Sequence, residues 1–153
     1  MEIVFYNPDY EKQWKEFLKL YEPARDASYF EWKYKRPCGN IQSSLMLLQG
    51  EGRIVGCLSS LGDHALICGR KTTIRTLVDY YVGQEHRRDG YGLKLLYDYL
   101  SRFADDVFVA FGPNSQSVPI FKMLGWRPVS VIFKRYYFPV DIPYAVNAKT
   151  RFR

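Results

Sequence analysis

Two glycines, Gly90 and Gly92, stand between a β-branched, aromatic segment and a leucine-rich one. The first segment predicts a strand and the second predicts a helix. The first N–H groups of a helix have no partner inside it, and the helix dipole adds partial positive charge at that end. Glycines let a bulky anion approach the backbone closely. Residues 82–93 therefore predict a cradle for a phosphate or pyrophosphate group.

Two common phosphate-binding patterns do not fit this chain. The P-loop pattern needs an upstream glycine and the order Gly-Lys-Ser/Thr, which residues 69–72 lack. The dinucleotide pattern would place a third glycine at position 95, which is occupied by Leu95. The pattern that does fit is Arg/Gln-x-x-Gly-x-Gly/Ala, beginning at Arg87.

Clear signals for secondary structure flank this loop. Residues 72–82 are rich in β-branched and aromatic side chains and predict a central strand. Apolar residues from Leu93 to Phe103 recur at helical spacing, so we expect a helix from near residue 90 to residue 105. The apolar residues and turn signals that follow predict a short strand at 107–111, a short helix at 117–124 and a strand at 129–138.

The first half of the chain supplies the remaining elements. We expect a strand at 2–6, a helix from the Asn7-Pro8 start signal to about Tyr21, a helix at 27–34, a hairpin of strands 45–49 and 53–60, and a further strand at 65–68. Alternating strands and helices predict an α/β or α+β class with a mixed sheet. Residues 1–153 are interpreted as one domain, with residues 139–153 as either a last strand or a tail.

Composition narrows the class of protein. The 153 residues carry a net charge of +6, which favours anionic partners. No apolar run is long enough to cross a bilayer, and the first residues lack a signal peptide pattern. The spacing of Cys38, Cys57 and Cys68 predicts neither a disulfide framework nor a metal site. We therefore expect a cytoplasmic protein with no metal and no membrane partner.

The loop resembles the coenzyme A-binding motif of the GNAT superfamily of acetyl-CoA-dependent N-acetyltransferases, which reads roughly V-x-P-x-Y-R-G-K-G-x-G. Val82, Arg87, Gly90 and Gly92 match this motif. This chain departs from the motif at four positions. Gln84 replaces its proline, His86 its tyrosine, Arg88 its first glycine and Asp89 its lysine. Residues 114–126 are similar to the family's N-x-x-A-x-x-x-Y-x-x-x-G-F helix, and residues 30–39 look like an F-x-W-K-Y…P-x-G feature of one branch. The resemblance extends from the first strand to about Phe138.

This resemblance implies a GNAT-like fold, a mixed and mostly antiparallel central sheet that is flanked by helices and contains a splayed central strand pair. It implies acetyl-CoA as cosubstrate, with the backbone amides of Tyr80 and Val82 on the thioester and pantetheine and with the glycine loop on the pyrophosphate. The cofactor-binding residues that it implies are Tyr80, Tyr81, Val82, Arg87, Arg88, Asp89, Gly90, Tyr91, Gly92, Leu93, Asn114 and Ser117. Arg87 could instead act through its backbone alone, and Asn114 could be a loop cap.

The implied reaction is direct transfer of an acetyl group to a primary amine of a small molecule, such as an amino sugar, an aminoglycoside-like compound or a polyamine. Because an alkylammonium is not nucleophilic, the reaction needs a base. Asp79 is the candidate, one residue before the implied oxyanion donor, the amide of Tyr80. The family's usual acid, a tyrosine, is replaced by Phe121. Tyr81, Tyr136 and Tyr137 are alternative acids, or the thiolate leaves without one.

Two other functions are kept open by the sequence. Phe121 favours a coenzyme A-binding protein that has lost catalysis. The net charge and the 13 tyrosines suggest a nucleic-acid-binding module, but the basic residues are dispersed, which disfavours it. The sequence leaves open the acceptor, the preferred acyl chain and the oligomeric state. A homodimer is one of the alternatives.

Overall fold

The structure is a computed structural model that describes residues 1–23, 26–34 and 44–129. Several predictions fall outside these residues. They concern residues 130–138 of the predicted last strand, with Tyr136 and Tyr137, the last strand or tail at 139–153, residues 35–39 of the Phe-x-Trp-Lys-Tyr feature, and Cys38. The chain forms two compact units, Met1–Ile120 and Phe121–Arg153. Interpretation of the whole chain as one domain therefore stays a prediction.

A five-stranded sheet forms the centre of the first unit. Its strands lie in chain order and are β1 (Glu2–Phe5), β2 (Leu45–Gly50), β3 (Arg53–Ile67), β4 (Arg70–Val82) and β5 (Val107–Ala110). The pairings from β1 to β4 are antiparallel, whereas β4 and β5 are parallel. A mixed, mostly antiparallel sheet was predicted, and it is confirmed.

Helices connect the strands where the apolar periodicity predicted them. They are α1 (Glu11–Lys19), α2 (Ala27–Tyr34), α3 (Tyr91–Arg102) and α4 (Val118–Met123), with 3₁₀ helices at Pro8–Tyr10 and Gln84–Asp89. The Asn7 side chain accepts a hydrogen bond from the amide of Asp9 and so caps the first 3₁₀ turn. The first α-helix ends at Lys19, earlier than the predicted end near Tyr21.

The hairpin of β3 and β4 is longer than the sequence predicted. β3 does not end at Ser60, and residues 65–68 do not form a separate strand, because β3 continues unbroken to Ile67. Gly62 and Asp63, which lie between the two predicted strands, pair with Arg75 and Ile74 of β4. β2 pairs with β3 only as far as Ser59, so the rest of β3 lies at an edge of the described sheet, where glycine and polar residues are tolerated.

The two faces of the sheet are covered by different helices. On one face, Trp14 and Leu18 of α1 pack with Tyr34 of α2 and with Cys57 of β3. On the other face, α3 contributes the fully buried side chain of Tyr99, whose hydroxyl lies 2.6 Å from the hydroxyl of Ser60. Together these layers hold β4 from both sides, and β4 carries the candidate site.

Candidate active site

β4 and β5 separate at the middle of β4. β5 pairs only with Ile74–Leu77, so residues 78–82 of β4 have no strand on that edge within the described part of the chain. The amide of Gly83 donates to the carbonyl of Val55 on β3 at 2.7 Å. Since amides alternate in direction along an extended strand, the amide of Val82 faces the open edge. This geometry agrees with the predicted splayed pair.

A β-bulge lies where β4 diverges. Cys57 pairs with Tyr81 and Ser59 pairs with Val78, so Asp79 and Tyr80 together oppose a single residue of β3, Leu58. Asp79 has a φ of +51°, in the left-handed region that non-glycine residues rarely adopt. A bulge bends its strand and increases the local twist, which turns the end of β4 away from β5.

The glycine loop connects the bulged strand to α3. Its 3₁₀ helix ends at Gly90, whose φ of +77° is left-handed. The first α-helical bond runs from the amide of Lys94 to the carbonyl of Gly90, so the amides of residues 91–93 have no partner within the helix. Apart from Gly90 and its two chain neighbours, no atom of the described residues lies within 4 Å of the position that a Cβ on Gly90 would occupy, so a bulky anion has room there.

Gly92 allows α3 to approach β4 closely. A Cβ at this position would lie 3.1 Å from the hydroxyl of Tyr80 and 3.6 Å from a methyl group of Val82. The second glycine of the motif therefore serves the packing of helix on strand, whereas the first serves the turn and the open loop surface.

A cleft of about 370 Å³ lies between the end of β4 and the turn before α4. It is lined by Tyr80, Tyr81, Val82, Arg87, Gly92, Asn114, Gln116, Ser117 and Ile120. Most of the predicted cofactor-binding residues are thus brought together. The others, Arg88, Asp89, Gly90, Tyr91 and Leu93, lie along the loop and the first turn of α3 rather than in the cleft. Gln116 and Ile120 were not predicted.

Asn114 acts as the cap of the turn on the far side of the cleft. Its side-chain oxygen accepts hydrogen bonds from the amides of Gln116 and Ser117 at 3.0 and 2.9 Å. The hydroxyl of Ser117 donates to the Asn114 carbonyl at 3.2 Å. The cap orders this wall of the cleft, and the predicted contact of Asn114 with pantetheine stays a prediction.

Asp79 forms a buried ion pair that was not predicted. Its Oδ1 lies 2.7 Å from Nζ of Lys33 on α2, and the two side chains are 4% and 7% exposed. The Lys33 ammonium also lies 5.4 Å and 5.3 Å from the ring centres of Tyr29 and Tyr34. The only local signal for this contact was the Phe-x-Trp-Lys-Tyr feature, which contains Lys33. Asp79 itself is not among the residues that line the cleft.

Tyr81 belongs to a second group that links β4 to the end of α1. Its ring stacks on Tyr21 with 4.9 Å between centres, and its hydroxyl donates to Glu22 at 2.7 Å. Tyr21 and Glu22 were not predicted as residues of the site.

Burial raises the pKa of Tyr80 to about 12, so this phenol stays neutral near pH 7.

Comparison with known proteins identifies the family. Residues 8–126 match the family model described as the acetyltransferase (GNAT) family. The chain belongs to the GNAT acetyltransferase family. The resemblance seen in the sequence is thereby confirmed. Among curated protein sequences, none matches the chain significantly.

Solved structures share the GNAT fold over nearly their whole length. AAC(6')-Iy in complex with the bisubstrate analogue CoA-S-monomethyl-acetylneamine is 17% identical, with a TM-score of 0.68 over 90% of this chain and 98% of that chain. Glucosamine-6-phosphate N-acetyltransferase from Arabidopsis thaliana is 10% identical, with a TM-score of 0.67 over 90% of this chain and 98% of that chain. Ribosomal-protein-alanine N-acetyltransferase from Brucella melitensis is 14% identical, with a TM-score of 0.65 over 90% of this chain and 100% of that chain.

The cosubstrate of GNAT acetyltransferases is acetyl-CoA, as the resemblance implied. The residues present fit this group. Open space at Gly90 and helix amides without an intrahelical partner suit a pyrophosphate, and the cleft beside the open edge of β4 suits an extended pantetheine arm. Among the residues that the structure describes, no helix could span a membrane and no cluster of His, Cys, Asp or Glu could hold a metal ion.

Phe121, in the second unit, is the residue that the resemblance places where the family's usual acid would be. Its ring packs against Trp126 with 4.7 Å between centres. A phenyl ring has no proton to donate, so any acid for the leaving thiolate must come from another residue.

Proposed function

We propose that this protein transfers an acetyl group from acetyl-CoA to a primary amine of a small-molecule acceptor, by direct attack within a ternary complex. The observation that carries the proposal is the open edge of β4, which leads directly into the left-handed Gly90 turn and the start of α3. A thioester and a pyrophosphate on one ligand would meet main-chain donors along this continuous path. Two of the similar structures are named for, or contain, amino-sugar or aminoglycoside groups, which supports a small-molecule acceptor.

When bound, acetyl-CoA supplies the activated acetyl group. The amide of Tyr80 would donate to the thioester oxygen, and one such donor contributes about 3 kcal/mol to the stability of the transition state. The amide of Val82 would position the pantetheine arm. The backbone of residues 87–93 would hold the pyrophosphate.

Asp79 is proposed as the base that removes a proton from the acceptor ammonium. The amine nitrogen then bonds to the acetyl carbon as the carbon–sulfur bond breaks, and the second amine proton leaves with the thiolate or passes to water. Lys33 at 2.7 Å keeps the buried Asp79 paired, and the bulge places this residue directly before the Tyr80 amide. The base and the oxyanion donor would thus come from consecutive residues.

A second candidate function is coenzyme A binding without turnover. Phe121 favours it, because this residue removes the family's usual acid.

The first experiment separates cofactor binding from a simple turn. We expect acetyl-CoA and coenzyme A, each at about 100 times its Kd, to add roughly 2.7 kcal/mol of stability, whereas ATP adds little. For a chain of this size that is a rise in melting temperature of about 5–11 °C. No shift with either coenzyme A species would contradict the proposal.

A matched pair of glycine variants locates the binding site. Gly90 and Gly69 have φ values of +77° and +78°, and a Cβ on either would meet nothing within 4 Å. Gly90→Glu and Gly69→Glu therefore carry a similar conformational cost. We expect only Gly90→Glu to abolish the shift with coenzyme A.

Turnover is then tested with spermidine, glucosamine, glucosamine 6-phosphate and neamine as acceptors, by thiol release from acetyl-CoA. Release that depends on one of these amines supports the transferase. Tight coenzyme A binding without release from any amine in the panel would favour the second candidate function.

A further inference from the structure

The side chain of Arg87 is engaged with the protein on both sides of the cofactor cleft. Arg87 opens the Arg-x-x-Gly-x-Gly pattern, so its positive charge suggests a partner for pyrophosphate. Its Nε instead donates to the carbonyl of Val82 at 3.0 Å, at the end of β4. Its Nη1 donates to the side-chain oxygen of Gln116 at 3.3 Å, on the opposite wall.

The Val82 carbonyl connects the end of β4 to the glycine loop and to the residues that follow α1. Besides the Arg87 bond, it accepts a hydrogen bond from the hydroxyl of Tyr21 at 3.2 Å. Tyr21 follows α1 and stacks on Tyr81, and the Arg87 guanidinium lies 5.9 Å from the centre of the Tyr21 ring. The β4 end of the arginine is therefore held by a bond to main chain and by an aromatic neighbour.

The other wall is equally ordered. The amide of Gln116 donates to the side chain of Asn114 at 3.0 Å, which fixes the turn that carries the Gln116 side chain. Arg87, Val82, Asn114 and Gln116 all line the cleft. Since β5 no longer pairs with β4 at this level, hydrogen bonds through Arg87 connect the two walls where strand pairing does not.

We propose that Arg87 is a positioning residue that fixes the width of the cofactor cleft through its bonds to Val82 and Gln116, rather than a charge partner for the pyrophosphate. A planar guanidinium holds its donors in a rigid fork and can join two acceptors at a set separation. A lysine has the same charge but a single flexible donor group, so it cannot span both. The inference rests on the proposed function in one respect, that this cleft holds coenzyme A.

The decisive comparison is between Arg87→Lys and Arg87→Ala. Kd for coenzyme A is measured by titration calorimetry at low and high salt. We expect both variants to bind coenzyme A at least tenfold more weakly than the wild type, equivalent to about 1.4 kcal/mol. If charge on phosphate were the role, Arg87→Lys would bind nearly as tightly as the wild type, and Arg87→Ala would lose part of the salt dependence.

Gln116→Ala tests the far end of the same connection. We expect it to weaken binding, and we expect the double variant with Arg87→Ala to be no weaker than Arg87→Ala alone, because both remove one link. Additive losses would overturn the proposal. Arg70→Ala is the control, since Arg70 is exposed and lies at the start of β4, outside the glycine loop. It shows the effect of simply removing one positive charge from the protein, and an effect equal to that of Arg87→Ala would also overturn the proposal.

Two readouts keep this result separate from other failures. Ligand-free variants should melt within about 3 °C of the wild type, a shift of roughly 1 kcal/mol. A larger loss of stability in Arg87→Lys would assign a general structural role to Arg87 and would contradict the positioning role. Absence of coenzyme A binding by the wild type would overturn the proposed function, and this inference with it. If the wild type binds coenzyme A and Arg87→Lys binds it with the same affinity, only this inference is overturned.

Discussion

Replacing Lys33 by methionine would leave the Asp79 carboxylate buried beside apolar and aromatic neighbours. The two side chains are only 7% and 4% exposed, and their charged atoms are 2.7 Å apart. Methionine keeps nearly the length of the lysine stem but has no charge and no donor. The change therefore removes the partner and little of the packing.

The burial sets the expected magnitude. Removing one partner of a buried ion pair costs about 3–5 kcal/mol, because an uncompensated charge is left inside. A domain of this size loses about 2–4 °C of melting temperature for each kcal/mol. We therefore expect Lys33→Met to melt roughly 6–20 °C below the wild type.

The assay is thermal melting of four proteins without ligand: wild type, Lys33→Met, Asp79→Asn and the double variant. The double variant removes both charges, and a neutral pair of similar volume is often as stable as the ion pair. We expect it to recover most of the loss. Lys94→Met is a matched control, because Lys94 and Asp98 pair at 2.8 Å but are 60% and 35% exposed. Such a surface pair contributes about 0–1 kcal/mol.

Two results would refute this reasoning. One is a Lys33→Met variant that melts within about 3 °C of the wild type, as expected of an exposed pair. The other is a double variant less stable than either single variant, which would show that the two residues stabilise the fold independently.

Three further predictions concern the proposed chemistry and the buried thiol. Asp79→Asn should lower kcat and remove the acidic limb of the pH profile without changing coenzyme A affinity; an unchanged profile would exclude Asp79 as the base. Phe121→Tyr should raise turnover, measured by thiol release, whereas equal turnover would mean that another group already serves as acid. Burial raises the pKa of Cys57 from 9.0 to about 12. The neutral form of the buried thiol therefore stabilises the folded state fully below pH 9, and this stabilisation is lost as the pH rises from 9 to 12. Urea unfolding at pH 8 and pH 10 should show a smaller decline for Cys57→Ala than for the wild type, and equal declines would contradict the burial of a neutral thiol.

Much of the fold could be predicted because its signals are local. The periodicity from Leu93 to Phe103 and the β-branched run before Val82 each report a single element. The error in β3 arose at Gly62 and Asp63, which usually interrupt strands. Beyond Ser59 no pairing with β2 holds β3, and both residues are exposed there, so no packing opposes them and pairing with β4 continues.

The candidate site was predictable to the extent that it is continuous in sequence. Gly90 and Gly92 are two residues apart, and their position between a predicted strand and a predicted helix indicates a cradle for an anion. The contact of Lys33 with Asp79 joins residues 46 positions apart, and that of Tyr21 with Val82 joins residues 61 apart. These contacts depend on how α1 and α2 pack on the sheet, which no local pattern specifies.

Asp79 is a supernumerary residue in the sheet. The pairing of Cys57 with Tyr81 on one side and of Ser59 with Val78 on the other would close into a regular ladder if Leu58 faced Tyr80 alone. Deleting Asp79 would therefore leave every other pair in place and every other side chain on its present face. At this position β4 carries one residue more than a regular ladder with β3 requires. A strand built in this way can acquire or lose a reactive group by insertion or deletion, without a change in the register of the sheet.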